Sequence, residues 1–180
     1  YKESKQQDSF TNRAAKQVLK HLAPNKHTVV PFFPWGSDER QYCSPGINLP
    51  VGSLMRTMYG KYPEYHTSLD NKDLIDFKCL QETISTYESI CSLIESNTSY
   101  IRTNPNGEPH LQQYNLYSSL GGKTTLQDKQ KELFWLLNYC DGNHDLLDIA
   151  ERSNCCFFEL KDIANLLVKL NLLTNKDLKK

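Results

Sequence analysis

The chain has 180 residues, enough for one good core or for a moderate domain beside a small one. Its 21 basic and 21 acidic residues balance, so no global field recruits nucleic acid or an anionic membrane. No apolar run approaches the roughly 20 residues that span a bilayer, and no charged-then-apolar leader opens the chain. It begins at Tyr1 rather than methionine, in polar sequence running into a helix, which is how a segment of a longer protein looks.

Ser9 to Leu22 carries Ala14, Ala15, Val18, Leu19 and Leu22 at helical spacing, and Pro24 stops it. Thr28 to Phe33 is β-branched and aromatic, the signal of a short buried strand. A loop dense in charge and turn formers follows, Pro34 to Gln41. Val51 to Met58 reads as a second strand after Pro45-Gly46 and Pro50. The polar loop Pro63 to Asn71 feeds a long helix from about Asp73 to Glu95, with Phe77, Leu80, Ile84, Tyr87, Ile90 and Ile94 on its apolar face. Helix, strand, loop, strand, loop, helix is an α/β pattern. Ligands gather on loops beyond strand ends in such sheets, which puts Asp38, Glu39 and His66 at one expected sheet edge.

From Asn97 to Thr125 the tyrosine-rich sequence, broken by Asn104-Pro105-Asn106-Gly107 and Gly121-Gly122, reads as a connector with room for a small hairpin. Helices are then expected over Gln130 to Cys140, about Asp145 to Arg152, and Phe157 to Leu170. Three helices of these lengths, ending in Asn171-Leu172-Leu173-Thr174, form a winged-helix or helix-turn-helix pattern.

Six scattered cysteines, Cys43, Cys79, Cys91, Cys140, Cys155 and Cys156, contain no CxxC pair and sit partly in helical patterns. They read as free thiols rather than a disulfide set or a zinc knuckle, in keeping with a cytoplasmic protein. Gly122-Lys123-Thr124 lacks the leading glycine of a phosphate loop, because Tyr117 stands there. His21, His27 and His110 are isolated, and His144 looks like a helix-entry residue.

Two loops hold the chemistry. Tyr65-His66-Thr67, with Glu64 and Asp70 nearby, can offer a neutral imidazole to zinc and a carboxylate to orient it. On the residues alone, such a histidine is more often a hydrogen-bonded surface group. Ser37-Asp38-Glu39-Arg40 can bind metal or a substrate amine; the competing reading is a solvated loop with an internal ion pair of little energetic weight.

The run PWGSDERQYCSPGINLPVGSLMRTMYGKYPEYHTSLDN, Pro34 to Asn71, resembles an uncharacterised bacterial zinc aminopeptidase-like family. Members of that family look like di-zinc exopeptidases and end in a winged helix. GEPHLQQYNLYSSLGG (Gly107 to Gly122) and LLDIAERS (Leu146 to Ser153) resemble its connector and winged helix. The resemblance implies that His66 in Tyr65-His66-Thr67 is a zinc ligand, with Asp70 orienting the site. Ser37, Asp38 and Glu39 would lie beside the active site, and Arg40 and Tyr42 would contact substrate backbone or carboxylate.

The resemblance therefore implies an α/β fold. Residues 1–100 would be the C-terminal part of a zinc exopeptidase-like sheet-and-helix domain, 101–125 a connector, and 126–180 a small α-rich winged-helix module. It implies one or two zinc ions in an intact enzyme that hydrolyses peptide or amide bonds. The family's other ligands and its general-base glutamate fall upstream of this sequence, so no catalytic base is identified here. Zinc hydrolases use about three protein ligands per metal. A non-catalytic relative and a winged-helix interaction module are the alternatives. In the last long helix Lys161 and Lys169 are offset by Glu159 and Asp162, which argues for protein contacts over nucleic acid. A homo-oligomer is left open.

Overall fold

The computed structural model describes residues 1–36, 38–116 and 129–176. The chain is a mixed α/β region followed by a small α-rich winged-helix module. By its contacts it divides into two compact units, Tyr1–Glu95 and Ser96–Lys180.

In the first unit, α1 spans Phe10–Leu22. Ser9 caps it by accepting from the Asn12 N–H, and the Ala23 N–H closes the last turn on the Leu19 carbonyl. Ala14, Ala15, Val18 and Leu19 form its buried face. Asn12 on the same helix is buried and ties down the preceding residues. Its Oδ1 accepts from the Ser4 N–H at 2.9 Å and the Tyr1 hydroxyl at 2.8 Å, while its amide donates to the Gln6 carbonyl at 2.9 Å. A buried amide with its valences filled fixes the chain path at little net cost.

The two expected strands, Thr28 to Phe33 and Val51 to Met58, do not form ladders. Each makes one isolated bridge to the same residue, Lys2↔Val30 parallel and Lys2↔Ser53 antiparallel. Lys2 exchanges both backbone bonds with Ser53 at 2.9 Å, and Val30 and Glu3 continue the pairing on the other side. Pro31 and Pro34 explain the short reach of the first segment, since proline has no N–H to extend a ladder. In the second, Gly52 passes against Tyr1, where a Cβ would overlap the phenol oxygen. The sheet edge expected to gather Asp38, Glu39 and His66 is therefore absent among the described residues of this unit. One turn of helix, α2, covers Glu39–Tyr42, and α3 covers Phe77–Ser96. The start of α3 lies later than the apolar pattern suggests, because the Asp76 carboxylate accepts from the Lys78 and Cys79 N–H groups and caps the helix there.

The second unit holds a three-stranded antiparallel sheet of order β2-β1-β3. The central strand β1 is Ser99–Arg102, at the head of the stretch expected to be a connector. It pairs with β2, Asp141–Asp145, across a bulge, and with β3, Leu173–Asn175, in the register Ile101↔Thr174. A 3₁₀ helix at Leu111–Tyr114 follows β1. The remainder of the expected connector from Tyr117, including Gly121-Gly122 and Gly122-Lys123-Thr124, lies outside the described residues.

Helices α4 (Gln130–Tyr139), α5 (Leu146–Ser153) and α6 (Phe157–Lys169) match the sequence pattern closely. Asp145 and Asp148 form a reciprocal capping box on α5, and Asn154 ends it in the left-handed region at φ 57°. Leu136, Leu146, Leu147, Phe157, Leu160 and Leu167 are wholly buried, each stabilising the fold by about 1.5–3 kcal/mol. Among the described residues of the first unit the buried apolar set is Ala14, Ala15, Val18, Leu19, Cys43, Ile90 and Leu93, smaller side chains on the whole. The large apolar side chains of that unit include Trp35 and Phe77, which are 72% and 77% exposed. Cys43, Cys79, Cys91, Cys140, Cys155 and Cys156 are free thiols. No described helix is long and apolar enough to cross a membrane.

Candidate functional site

The two loops singled out from sequence have opposite characters in the structure. The first is anchored internally. Glu39, on α2, is 2% exposed, and Lys2 beside it is 0% exposed. The Lys2 ammonium sits 2.6 Å from the Glu39 carboxylate. Its other hydrogen bonds go to the Trp35 carbonyl and, at 3.1 Å, the Tyr59 hydroxyl. An ammonium has three donors, and these three acceptors use them all. The Phe33 ring lies 4.0 Å from Nζ and adds a cation–π contact in a desolvated setting.

Burial opposes ionisation of Glu39, but hydrogen bonds from Lys2 and from its own backbone, with the Lys2 charge, hold its carboxyl below the usual carboxylate range. A Ser53 hydrogen bond acts in the same direction. The Tyr59 hydroxyl also donates to the Trp35 carbonyl at 2.7 Å. Gly36 allows this approach: its φ is +114°, and a Cβ there would overlap the Tyr59 ring. Lys2, Glu39, Tyr59 and Gly36 thus fasten the 35–42 loop to the start of the chain.

The other residues of that loop face outward. Asp38 and Arg40 are exposed, as is the Tyr42 ring. Ser37 lies outside the described residues. The carboxylates of Asp38 and Glu39 therefore do different work: the neighbour of Lys2 is inside, and the other is open to solvent.

The second loop is a series of tight turns. The Thr67 hydroxyl donates to the Glu64 carbonyl at 2.8 Å and accepts from the Leu69 N–H at 3.2 Å. The Asp70 N–H donates to the Thr67 carbonyl at 3.2 Å. His66 sits in the left-handed region at φ 59° and is exposed. Its imidazole stacks on the Tyr65 ring, with centroids 4.0 Å apart and planes 15° from parallel. Tyr62 packs edge-on against Tyr65 at 5.5 Å. The stack covers one face of the imidazole, and the residue as a whole remains exposed. Among the described residues Asp70 makes no hydrogen bond or ion pair with His66.

Zinc needs about three protein ligands. No group of three or more His, Cys, Asp or Glu side chains that could hold a metal ion occurs among the described residues. The residues present offer His66 as a donor without a completed set around it. A cavity of about 510 Å³ lies elsewhere in the first unit, bordered by Tyr1, His27, Met55, Arg56 and Lys61, and none of Asp38, Glu39, Arg40, Tyr42, Tyr65, His66 and Asp70 lines it.

Sequence reasoning missed Lys2 and Tyr59. Tyr1-Lys2-Glu3-Ser4 looks like solvated polar chain, and no periodicity marks one of its charges as interior. Gly36 was the one visible hint, since a glycine beside bulky Trp35 permits a positive φ and a close approach.

A Clostridium acetobutylicum protein, named as a proposed polysaccharide biosynthesis protein with an aminopeptidase-like domain, is 42% identical over 173 residues. The match takes in 96% of this chain and 39% of that protein, so the chain spans about two fifths of the curated relative's length. A crystal structure of a proposed peptidase from Clostridium acetobutylicum superposes with a TM-score of 0.83 at 40% identity, covering 97% of this chain and 38% of the other. Residues 98–175 match the winged helix-turn-helix family, in agreement with the observed α4–β2–α5–α6–β3 order. Residues 1–97 match the family described as a domain of unknown function, DUF4910, and the chain belongs to that family.

Proposed function

We propose that this chain is one part of a zinc-dependent, aminopeptidase-like hydrolase of peptide or amide bonds, to which it contributes His66 as a metal ligand. The observation that carries this reading is the 42% identity, across 96% of the chain, to a relative named for an aminopeptidase-like domain. Two features of the loop fit the role. His66 is exposed, and its ring plane is held by the stack on Tyr65, so binding a metal would cost little side-chain entropy.

Further ligands and the base that activates water belong, in this reading, to polypeptide outside the chain. The relative has room for them, because the match takes in only 39% of its length. Asp38, Arg40 and Tyr42 are exposed on the 35–42 loop and are assigned to substrate contact, as Ser37 is from the sequence. Glu39 is assigned to holding that loop through Lys2, and Asp70 to the turn that carries His66. The free thiols of all six cysteines support a reducing, cytoplasmic setting.

Metal analysis of the full coding-sequence product, wild type against His66→Ala, tests the assignment. Zinc and aminoacyl-anilide hydrolysis should both fall in the variant, with the folded state intact. Unchanged zinc content would remove His66 from the ligand set.

The winged helix-turn-helix match favours a second role for residues 98–175 as an interaction module. The outward residues of α6 are Glu159, Asp162, Asn165, Val168 and Lys169. That balance of charge suits a protein surface better than a phosphate backbone. A DNA titration at low salt separates the two: salt-sensitive binding would favour nucleic acid.

A further inference from the structure

Helix α3 wears two apolar stripes, and the more apolar of them faces outward. The stripe packed within the first unit is Cys79, Thr83, Thr86, Ile90 and Leu93, of which Ile90 and Leu93 are buried. The outward stripe is Phe77, Leu80, Ile84, Tyr87 and Cys91, continued by the half-buried Ile94, with the Tyr87 hydroxyl turned back to the Leu54 carbonyl at 3.5 Å. Phe77 is 77% exposed and Ile84 59%. These six residues recur at alternating steps of three and four, the a and d positions of a heptad. Their spacing is that of a seam for one further helix, and a contiguous row of exposed apolar side chains marks an interaction site.

The flanks say which kind of helix. With Phe77 at a, the e positions are Gln81, Glu88 and Glu95, and the g positions are Asp76, Thr83 and Ile90. They carry acidic charge and no lysine or arginine. A second copy of the helix would bring Glu88 and Glu95 toward acidic or neutral flanks in either orientation, with no opposite charge to meet them. A helix with apolar a and d residues and basic flanks satisfies both the stripe and the charge.

We infer that the outer face of α3 is a docking seam for an amphipathic helix with lysine or arginine flanks, supplied by polypeptide other than a second copy of this chain. The relative that matches this chain over 39% of its own length has enough additional sequence to carry such a helix. The inference is independent of zinc and of His66.

Two synthetic helices of about four heptads test it. Both carry isoleucine at a and leucine at d; one has lysine at e and g, the other glutamate. Titrated against the intact chain by calorimetry, the lysine peptide should bind one to one, about tenfold or more tighter than the glutamate peptide, and should weaken as salt rises. Phe77→Ser with Ile84→Ser should weaken the lysine peptide by about tenfold or more. Because that pair could disturb folding, Glu88→Lys with Glu95→Lys provides a surface control and should shift the preference toward the glutamate peptide. Binding of neither peptide, equal binding of both, or self-association of the chain that Phe77→Ser abolishes would each overturn the inference.

Discussion

Lys2 and Glu39 stand 37 positions apart in the sequence and meet inside the first unit, ammonium to carboxylate at 2.6 Å, with neither side chain reaching solvent. Their pairing decides where the 35–42 loop sits, and through it where Asp38, Arg40 and Tyr42 face. Two charges withdrawn from water are tolerated because each has its hydrogen bonds filled. The arrangement is more a positional lock than a net source of stability.

Removing one partner should expose that balance. Lys2→Met leaves the Glu39 carboxylate buried without a cation, and should destabilise the chain by roughly 3–5 kcal/mol in urea unfolding. Lys2→Met combined with Glu39→Leu should cost markedly less than Lys2→Met alone. Equal losses would show that the pair is not coupled.

The acid response of the same pair has a definite sign. The folded-state pKa of Glu39 lies below its ordinary value of 4.5. The stability it contributes is therefore present above about pH 4.5 and is lost as pH falls through the lowered folded value. In Lys2→Met, burial acts on Glu39 without the cation, so that variant should gain stability as pH falls over the same range. Hydrogen exchange of residues 35–42, followed from pH 6 to pH 3, reads the difference as opposite slopes.

In the second unit Asp141 carries a similar dependence at lower pH. Burial works against its charge, but the Asn143 and His144 N–H groups and the His144 ring hold its carboxyl down to about 2. Its contribution should persist above the ordinary value of 3.8 and disappear as pH falls toward about 2. His144→Ala should narrow that window, a change visible in the titration of Asp141 by NMR.

Gly36→Ala should be poorly tolerated. The residue has φ +114°, and the new methyl would meet the Tyr59 ring. A cost of about 1–3 kcal/mol from backbone strain is expected before the clash is counted. If thermal unfolding of Gly36→Ala matches wild type, the 35–42 loop is not anchored as described.

The second unit should behave as an ordinary close-packed core. Phe157→Ala removes a wholly buried ring and should cost about 3–5 kcal/mol. Asp145→Ala removes the α5 capping box and should cost about 1 kcal/mol. Hydrogen exchange resolved by segment should place both losses in residues 96–176.

Helices were the legible part of the sequence. The apolar spacing in α1 and in α4 to α6, with Pro24 as the stop of α1, marks them to within a residue or two. The strands were not legible. Asp141-Gly142-Asn143 reads as a turn with His144 at the entry to a helix, and the segment becomes β2 only because β1 lies beside it. Thr28 to Phe33 reads as a strand, yet it makes a single bridge at Val30, which bonds the backbones of Tyr1 and Glu3 on either side of Lys2. For the candidate site, the Tyr65-His66-Thr67 loop was visible as a polar loop, but its Tyr65 stack and left-handed His66 were not.

Helical periodicity, caps and stops are local, because each hydrogen bond and side-chain contact that makes a helix lies within about four residues. The sequence alone accordingly determined the helices, the winged-helix pattern and the two polar loops with their ionisable residues. Only the tertiary structure decided that Glu39 turns inward to Lys2 while Asp38 and His66 remain in solvent. The reason is physical: whether a charge is buried depends on a partner distant in sequence, and neither its own spacing nor its neighbours encode where that partner arrives.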